Sequence, residues 1–212
     1  MKIAIIGASG KAGSQILKEA LERGHEVTAI VRDAAKVTDN EVSVLEQDVF
    51  GLTSENLKGY DIVVNAFGAA PGNESQHVEA GKVLIEALKG APGTRLIVVG
   101  GAGSLFVDEA KTIRVMDTPD FPKEYLPTAV NQGQNLIDLQ QSEGIQWTFI
   151  SPSAFFDPTG RRTGAYVQGK DHLLVNSKDQ SYISYADFAI AVLDEIEQPK
   201  HVNERFTVVS ES

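Results

Sequence analysis

Seven residues near the amino terminus, Gly7-Ala8-Ser9-Gly10-Lys11-Ala12-Gly13, have the types and spacing to hold an anion. Glycine at the first position permits a sharp turn, the middle glycine lets a phosphate come close to the backbone, and Gly13 lets a helix approach a strand. Where such a run joins a strand to a helix, free backbone N–H groups and the positive end of the helix dipole converge on one point. The spacing is GxxGxxG and departs from the GxGxxG dinucleotide fingerprint, so its position in the chain carries much of its meaning. Gly7, Ser9, Gly10, Lys11, Ala12 and Gly13 are the candidate pyrophosphate cradle.

A second chemical signal is Val31-Arg32-Asp33, at the end of the second predicted strand. In a dinucleotide-binding unit an acidic residue here holds the ribose 2′-hydroxyl, whereas a guanidinium pairs with a 2′-phosphate. Arg32 therefore favours NADP(H) over NAD(H), with Lys11 adding positive charge and the neighbouring Asp33 keeping NAD(H) open.

Rival chemistries are excluded by direct inspection. Gly10-Lys11 is followed by Ala12 and has Ile5 at the required upstream position, so the GxxxxGK[ST] loop is absent, as is a GxSxG nucleophile elbow. His25, His77, His172 and His201 lack metal-ligand spacing and are expected on the surface. There is no cysteine, hence no disulfide, thiolate metal site or cysteine nucleophile.

These residues must be positioned by a scaffold, and the chain alternates short β-branched runs with longer amphipathic stretches, the βαβ pattern. Strands are expected at Lys2 to Ile6, Glu26 to Val31, Val42 to Glu46, Asp61 to Asn65, Arg95 to Val99, Trp147 to Ile150 and Arg205 to Val209. The first helix carries Gly13, Ile16, Leu17, Ala20 and Leu21 on one face and stops at Gly24. A helix over Ser75 to Lys89 is expected to bury Val78, Leu84, Ile85 and Leu88, and another runs near Thr128 to Glu143. Ser184 caps a last helix, with Asp187 as its capping-box partner and Phe188, Val192, Leu193 and Ile196 facing inward. Val107 to Pro127 reads as irregular, and Ala154 to Lys170 as a mobile covering loop. The expected fold is α/β: a Rossmann-type doubly wound, mainly parallel sheet with helices on both faces. Residues 1–212 are expected to form one domain, with 154–183 as a candidate segment in a small substrate-covering region.

At 212 residues and 42% hydrophobic composition the chain can bury a sizeable core. A formal net charge of -10 disfavours a broad grip on nucleic acid or an anionic membrane. The apolar runs are too short for a signal region or a bilayer span, so the expectation is a cytoplasmic protein without nucleic-acid or membrane partners.

GASGKAG after the first strand, Val31-Arg32-Asp33 after the second, Gln47-Asp48-Val49 after the third and Asn65-Ala66-Phe67-Gly68 after the fourth form an ordered pattern. With Ser151-Pro152-Ser153 and Tyr182-Ile183-Ser184 leading to Asp187, it resembles the atypical, NmrA-like branch of the short-chain dehydrogenase/reductase superfamily over nearly the whole chain. Within that branch it is most similar to small bacterial NADH-flavin reductases, relatives of biliverdin/flavin reductase B. The resemblance implies that Gly7, Gly10 and Gly13 hold the pyrophosphate and Arg32 the adenosine phosphate. It places Asp48 and Val49 beside adenine, and Asn65, Ala66, Phe67 and Gly68 beside ribose and nicotinamide. From chemistry alone Asp48 is equally a turn former.

The YxxxK pair of many short-chain dehydrogenases is missing, since Tyr125 is followed four positions on by Ala129. Ser104 and Tyr125 are the remaining catalytic candidates, and a carbonyl or alcohol reaction lacks its usual acid/base equipment. Hydride transfer to flavin asks mainly for juxtaposed rings. Phe155, Phe156 and Tyr166 are candidate stacking surfaces, with loop anchoring as their other reading. The expectation is thus an NAD(P)H-dependent oxidoreductase acting on flavin or another planar acceptor. The alternative is a nonenzymatic NADP-binding sensor or partner-binding protein. A nucleotide-sugar epimerase or dehydratase is disfavoured by the missing pair and the short C-terminal portion.

Overall fold

The structure is a computed structural model and describes residues 1–39 and 42–212. In chain order its elements are β1 (Lys2–Ile6), α1 (Lys11–Glu22), β2 (Glu26–Val31), β3 (Ser43–Glu46), α2 (Ser54–Leu57), β4 (Ile62–Asn65), α3 (Gln76–Lys89) and β5 (Arg95–Val99). They continue with α4 (Leu126–Gln140), β6 (Gln146–Ser151), β7 (Phe155–Asp157), β8 (Val167–Gly169), β9 (Tyr182–Ser184), α5 (Tyr185–Glu197) and β10 (Glu204–Val209).

The main sheet has the order β3-β2-β1-β4-β5-β6-β10-β8, parallel throughout except for the antiparallel edge strand β8. Successive side chains on a strand alternate between faces, and here both faces are covered, which explains the unbroken apolar runs. Ile3 and Ile5 of β1 enter one core with Ile16 of α1 and Phe188 and Val192 of α5. Ala4 and Ile6 enter the other, with Leu84 and Leu88 of α3 and Leu136 and Leu139 of α4. Each fully buried Ile, Leu or Phe contributes about 1.5–3 kcal/mol of transfer free energy, so these two layers fix the sheet and the position of its carboxyl edge. That edge carries the reversal of strand order between β1 and β4, where doubly wound sheets open a ligand crevice.

The expected Rossmann-type doubly wound architecture is what the chain adopts, with bounds differing by one to three residues at several ends. α4 begins at Leu126 rather than Thr128, because Pro127 in the first turn has no N–H to lose there. In α3, Leu84 and Leu88 are buried, whereas Val78 and Ile85 are only partly so, and Ala80, Gly81 and Ala87 complete the inward face.

Two expectations are corrected. The segment after β6 is anchored: β7 pairs with β9 in a small parallel sheet, β8 pairs with β10, and Arg162 binds the buried Glu19 on α1 at 2.9 Å. Three-residue strands are too short to show an alternating period, so the sequence concealed them. Asp187, expected as a capping-box partner, does only half of that work. Its backbone N–H donates to the Ser184 hydroxyl at 3.0 Å, but its carboxylate accepts from Thr163 N–H, Gly164 N–H and the Thr163 hydroxyl at 2.7–2.9 Å. The fully buried carboxylate therefore ties the covering segment to the start of α5.

Candidate functional site

A cleft of about 750 Å³ runs along the carboxyl edge of the sheet. At its centre β1 turns into α1. Gly7 sits at φ +73°, a left-handed conformation natural to glycine, and a Cβ there would come within 2.6 Å of the Ala66 carbonyl oxygen. A Cβ at Gly13 would collide with the Gly7 carbonyl, so the helix can start this close to the turn only with glycine in that place. No side chain caps α1 and no acidic residue occupies its first turn. The first bond into the helix runs from Ser14 N–H to the Gly10 carbonyl at 2.9 Å; Gly10 N–H donates to the Gly7 carbonyl at 2.9 Å, and the Lys11, Ala12 and Gly13 amides have no intrahelical acceptors. Gly7, Ser9, Gly10, Lys11 and Ala12 line the cleft, and Gly13 supports it from behind. This geometry fits a diphosphate, which takes several backbone N–H groups at a positive helix end.

Toward β2 and β3 the wall is Val31, Arg32, Gln47, Asp48 and Val49. Arg32 is exposed and, among the described residues, makes no ion pair or hydrogen bond; the same is true of the Lys11 ammonium. Asp33 is already engaged: its carboxylate accepts from Ala35 N–H at 3.1 Å and caps the following 3-10 turn, whose Ala34 N–H is bound by Glu46 at 2.8 Å. Asp48 accepts from Phe50 N–H at 3.0 Å through one oxygen, so the turn-forming reading holds while the residue also faces the cleft.

In the other direction lie the ends of β4 and β5. Ala66, Phe67 and Gly68 line the cleft, but Asn65 does not: it is buried, and its side-chain oxygen accepts from Phe67 N–H at 3.1 Å, holding the loop in place. Beyond Gly100 the wall is formed by Thr128 and Gln132 from α4 on one side of the sheet and by Phe156 and Tyr185 on the other. The Phe156 and Tyr185 rings meet with centroids 3.9 Å apart, and Phe156 also packs on Phe188 at 4.8 Å. Burial, followed by the nearby Asp157 carboxylate, pushes the Tyr185 hydroxyl pKa above its ordinary value.

Of the expected stacking residues only Phe156 reaches the cleft, where it also serves as a core anchor. Phe155 is 60% exposed and packs on Tyr182, because neighbouring strand residues point to opposite sides. Tyr166 lies away from the cleft, donating its hydroxyl to Asp194 of α5 at 2.8 Å, and burial raises its pKa. The catalytic candidates also lie outside. Ser104 is buried and accepts from Arg205 at 3.3 Å, while Tyr125 is 62% exposed just before α4.

His77 corrects the surface assignment. It is 7% exposed in α3, lines the cleft and meets the Phe67 ring edge-on at 5.8 Å. Burial lowers its pKa, opposed by the nearby Glu74, and its ring nitrogens have no hydrogen-bond partner among the described residues. His77, Gln47, Thr128, Gln132 and Tyr185 are thus cleft residues that the sequence reading did not assign to the site, although Gln47 stood in the motif after the third strand. A partial signal existed for two of them: Thr128 and Gln132 are spaced i,i+4, which puts both polar side chains on one helix face.

Among the described residues there is no acidic, histidine or cysteine group able to hold a metal, and no helix is long and apolar enough to cross a membrane. The reversal of strand order, the uncapped glycine-lined helix start beside it and a continuous cleft over the carboxyl edge define a doubly wound dinucleotide-binding protein. More particularly, the chain belongs to the NAD(P)H-binding family, whose model it matches over residues 7–199. It is 71% identical to YwnB of Bacillus subtilis (strain 168), described as uncharacterized, over 212 residues and the full length of both chains. A crystal structure from Streptococcus pneumoniae TIGR4, described as "a putative NADH-flavin reductase", superposes with TM-score 0.94 at 43% identity over 100% of both chains. One from Bacteroides thetaiotaomicron, described as a "putative epimerase", gives TM-score 0.89 at 39% identity over 100% of this chain and 97% of that one.

Proposed function

We propose that the protein is an NAD(P)H-dependent oxidoreductase that passes hydride to flavin or another planar acceptor, with NADP(H) preferred. The observation that carries this reading is the continuity of one cleft from the uncapped start of α1 to the aromatic pair Phe156 and Tyr185. In this reading residues 1–212 work as one domain, and the segment 154–183 reaches the acceptor through Phe156.

The amides of Ser9, Lys11, Ala12 and Gly13 bind the diphosphate, Lys11 and Arg32 neutralise phosphate charge, and Asp48 with Val49 borders the adenine. With the diphosphate at β1 and the adenosine over β2 and β3, the sheet order directs the other half of the dinucleotide over β4 and β5. The nicotinamide, when bound, supplies the hydride. Ala66 to Gly68 and Gly100 then form the floor beneath the reacting ring, and Phe156 gives the acceptor an apolar surface that keeps water away. Ring-to-ring transfer asks for positioning above all, which suits a site without the YxxxK pair. Asp33, engaged in its own turn, is a poor ribose ligand, which supports the 2′-phosphate reading of Arg32.

Stopped-flow mixing with NADPH and FMN tests the activity: nicotinamide absorbance is expected to fall faster than in a protein-free control. Demonstrated NADPH binding with no oxidation above that control would favour a nonenzymatic sensor.

A further inference from the structure

The missing YxxxK pair argued that the site cannot protonate an acceptor, yet a tyrosine does stand in the cleft. Tyr185 is the first residue of α5, immediately after β9 and the Ser184 cap. Its ring is fixed on one side by Phe156 at 3.9 Å, and its hydroxyl has no hydrogen-bond partner among the described residues. Among the described residues the other tyrosine hydroxyls are committed or outside the cleft: Tyr182 donates to Asp157 at 3.1 Å, Tyr166 donates to Asp194, and Tyr60 and Tyr125 do not line it. Across the carboxyl edge, Gln132 and Thr128 present polar groups from α4, and neither side chain has a hydrogen-bond partner among the described residues.

We infer that Tyr185 is a proton donor for a second class of acceptor, planar aromatic aldehydes and ketones, held between the Phe156–Tyr185 pair and the polar wall of Gln132 and Thr128. This rests on the proposed hydride-transfer reading. The carbonyl carbon receives the hydride and forms a C–H bond, the C=O π pair moves to oxygen, and the Tyr185 O–H bond breaks as its proton passes to that oxygen. Water returns a proton to the phenolate. The carbonyl is reduced by two electrons to an alcohol, and the dinucleotide is oxidised by two.

Two features fit this role. A tyrosine hydroxyl is protonated through the neutral range, and burial, followed by Asp157, raises its pKa further, so it stands as a donor and not a base. Among the described residues no lysine lines the acceptor end, so the site rests in the protonated form that reduction needs and not as the phenolate that alcohol oxidation needs. Flavin makes no such demand, since reduced flavin is stable as an anion and accepts hydride without an accompanying proton.

Tyr185→Phe keeps the ring and its contact with Phe156 while removing the hydroxyl. With naphthaldehyde, its turnover is expected to fall about 100-fold more than turnover with FMN, the range of one general acid. Calorimetry with naphthamide on the NADP⁺-loaded protein gives a readout independent of turnover, and the variant is expected to bind this carbonyl ligand about 10-fold more weakly. Wild-type protein that reduces FMN but not naphthaldehyde overturns the inference, as does a variant whose losses with aldehyde and FMN are equal, or one that binds naphthamide like the wild type. If neither acceptor is reduced, the hydride-transfer reading has failed, and this inference fails with it.

Discussion

Replacing Arg32 with alanine should separate the two forms of the cofactor. The guanidinium stands exposed at the end of β2, lines the cleft and has no partner among the described residues, so its removal leaves no internal group unpaired. Stability of the unliganded protein should therefore change by less than about 0.5 kcal/mol. A hydrogen bond between two charged groups is worth about 1.5–3 kcal/mol, and solvent exposure places this one in the lower part of that range. At about 1.5–2 kcal/mol, the dissociation constant for NADPH should rise about 10- to 30-fold. NADH lacks the 2′-phosphate and should change less than about 3-fold. Isothermal titration of both forms, at low and high ionic strength, measures this directly. The NADPH advantage should shrink as salt rises, because the contact is exposed to screening ions. Equal losses for NADPH and NADH, or no loss for NADPH, would refute the assignment of Arg32 to the adenosine phosphate.

Other perturbations follow from the same contacts. Gly13→Ala drives a Cβ into the Gly7 carbonyl, an overpacking cost of about 1–3 kcal/mol; a melting temperature lowered by about 2–12 °C together with weakened dinucleotide binding is expected, read by differential scanning fluorimetry with and without NADPH. Asp187→Asn cannot sustain the charge-assisted bonds to Thr163 and Gly164, so faster amide hydrogen exchange at residues 163 and 164 is expected, with the main sheet still protected. His77 has its pKa lowered by burial, against the opposing effect of Glu74. The unfolded chain then binds the proton first as pH falls below the ordinary value of 6.5, so this contribution to stability declines from there until the folded His77 itself protonates. His77→Phe should flatten that part of the stability–pH curve in urea unfolding; an unchanged slope would show that other groups set it.

The scaffold was legible because its strands are buried on both faces. Ile3 to Ile6 and Leu96 to Val98 are unbroken apolar runs, and the intervening helices show a clear apolar stripe, as with Ile16 and Ala20. The turn between β1 and α1 was legible too, since Gly7 and Gly13 meet steric demands that only glycine satisfies. The acceptor end was not. Tyr185, Gln132 and His77 come from three helices and reach one cleft only through the packing of α3, α4 and α5 around the sheet, a relation that local spacing does not encode. Tyr166 shows the converse: an aromatic residue in a glycine-containing segment looks like a stacking surface, but its hydroxyl satisfies Asp194 and the ring joins the core. Burial of Ser104 beneath Arg205 is a contact across 101 residues, beyond any motif.

The most direct measurement is a crystal structure of the protein grown with NADP⁺. The diphosphate should lie against the amides of Ser9, Lys11, Ala12 and Gly13, with the 2′-phosphate within hydrogen-bond reach of Arg32 and the nicotinamide over Gly100. A dinucleotide bound elsewhere on the molecule, or one reversed so that adenine lies beside Tyr185, would contradict the account.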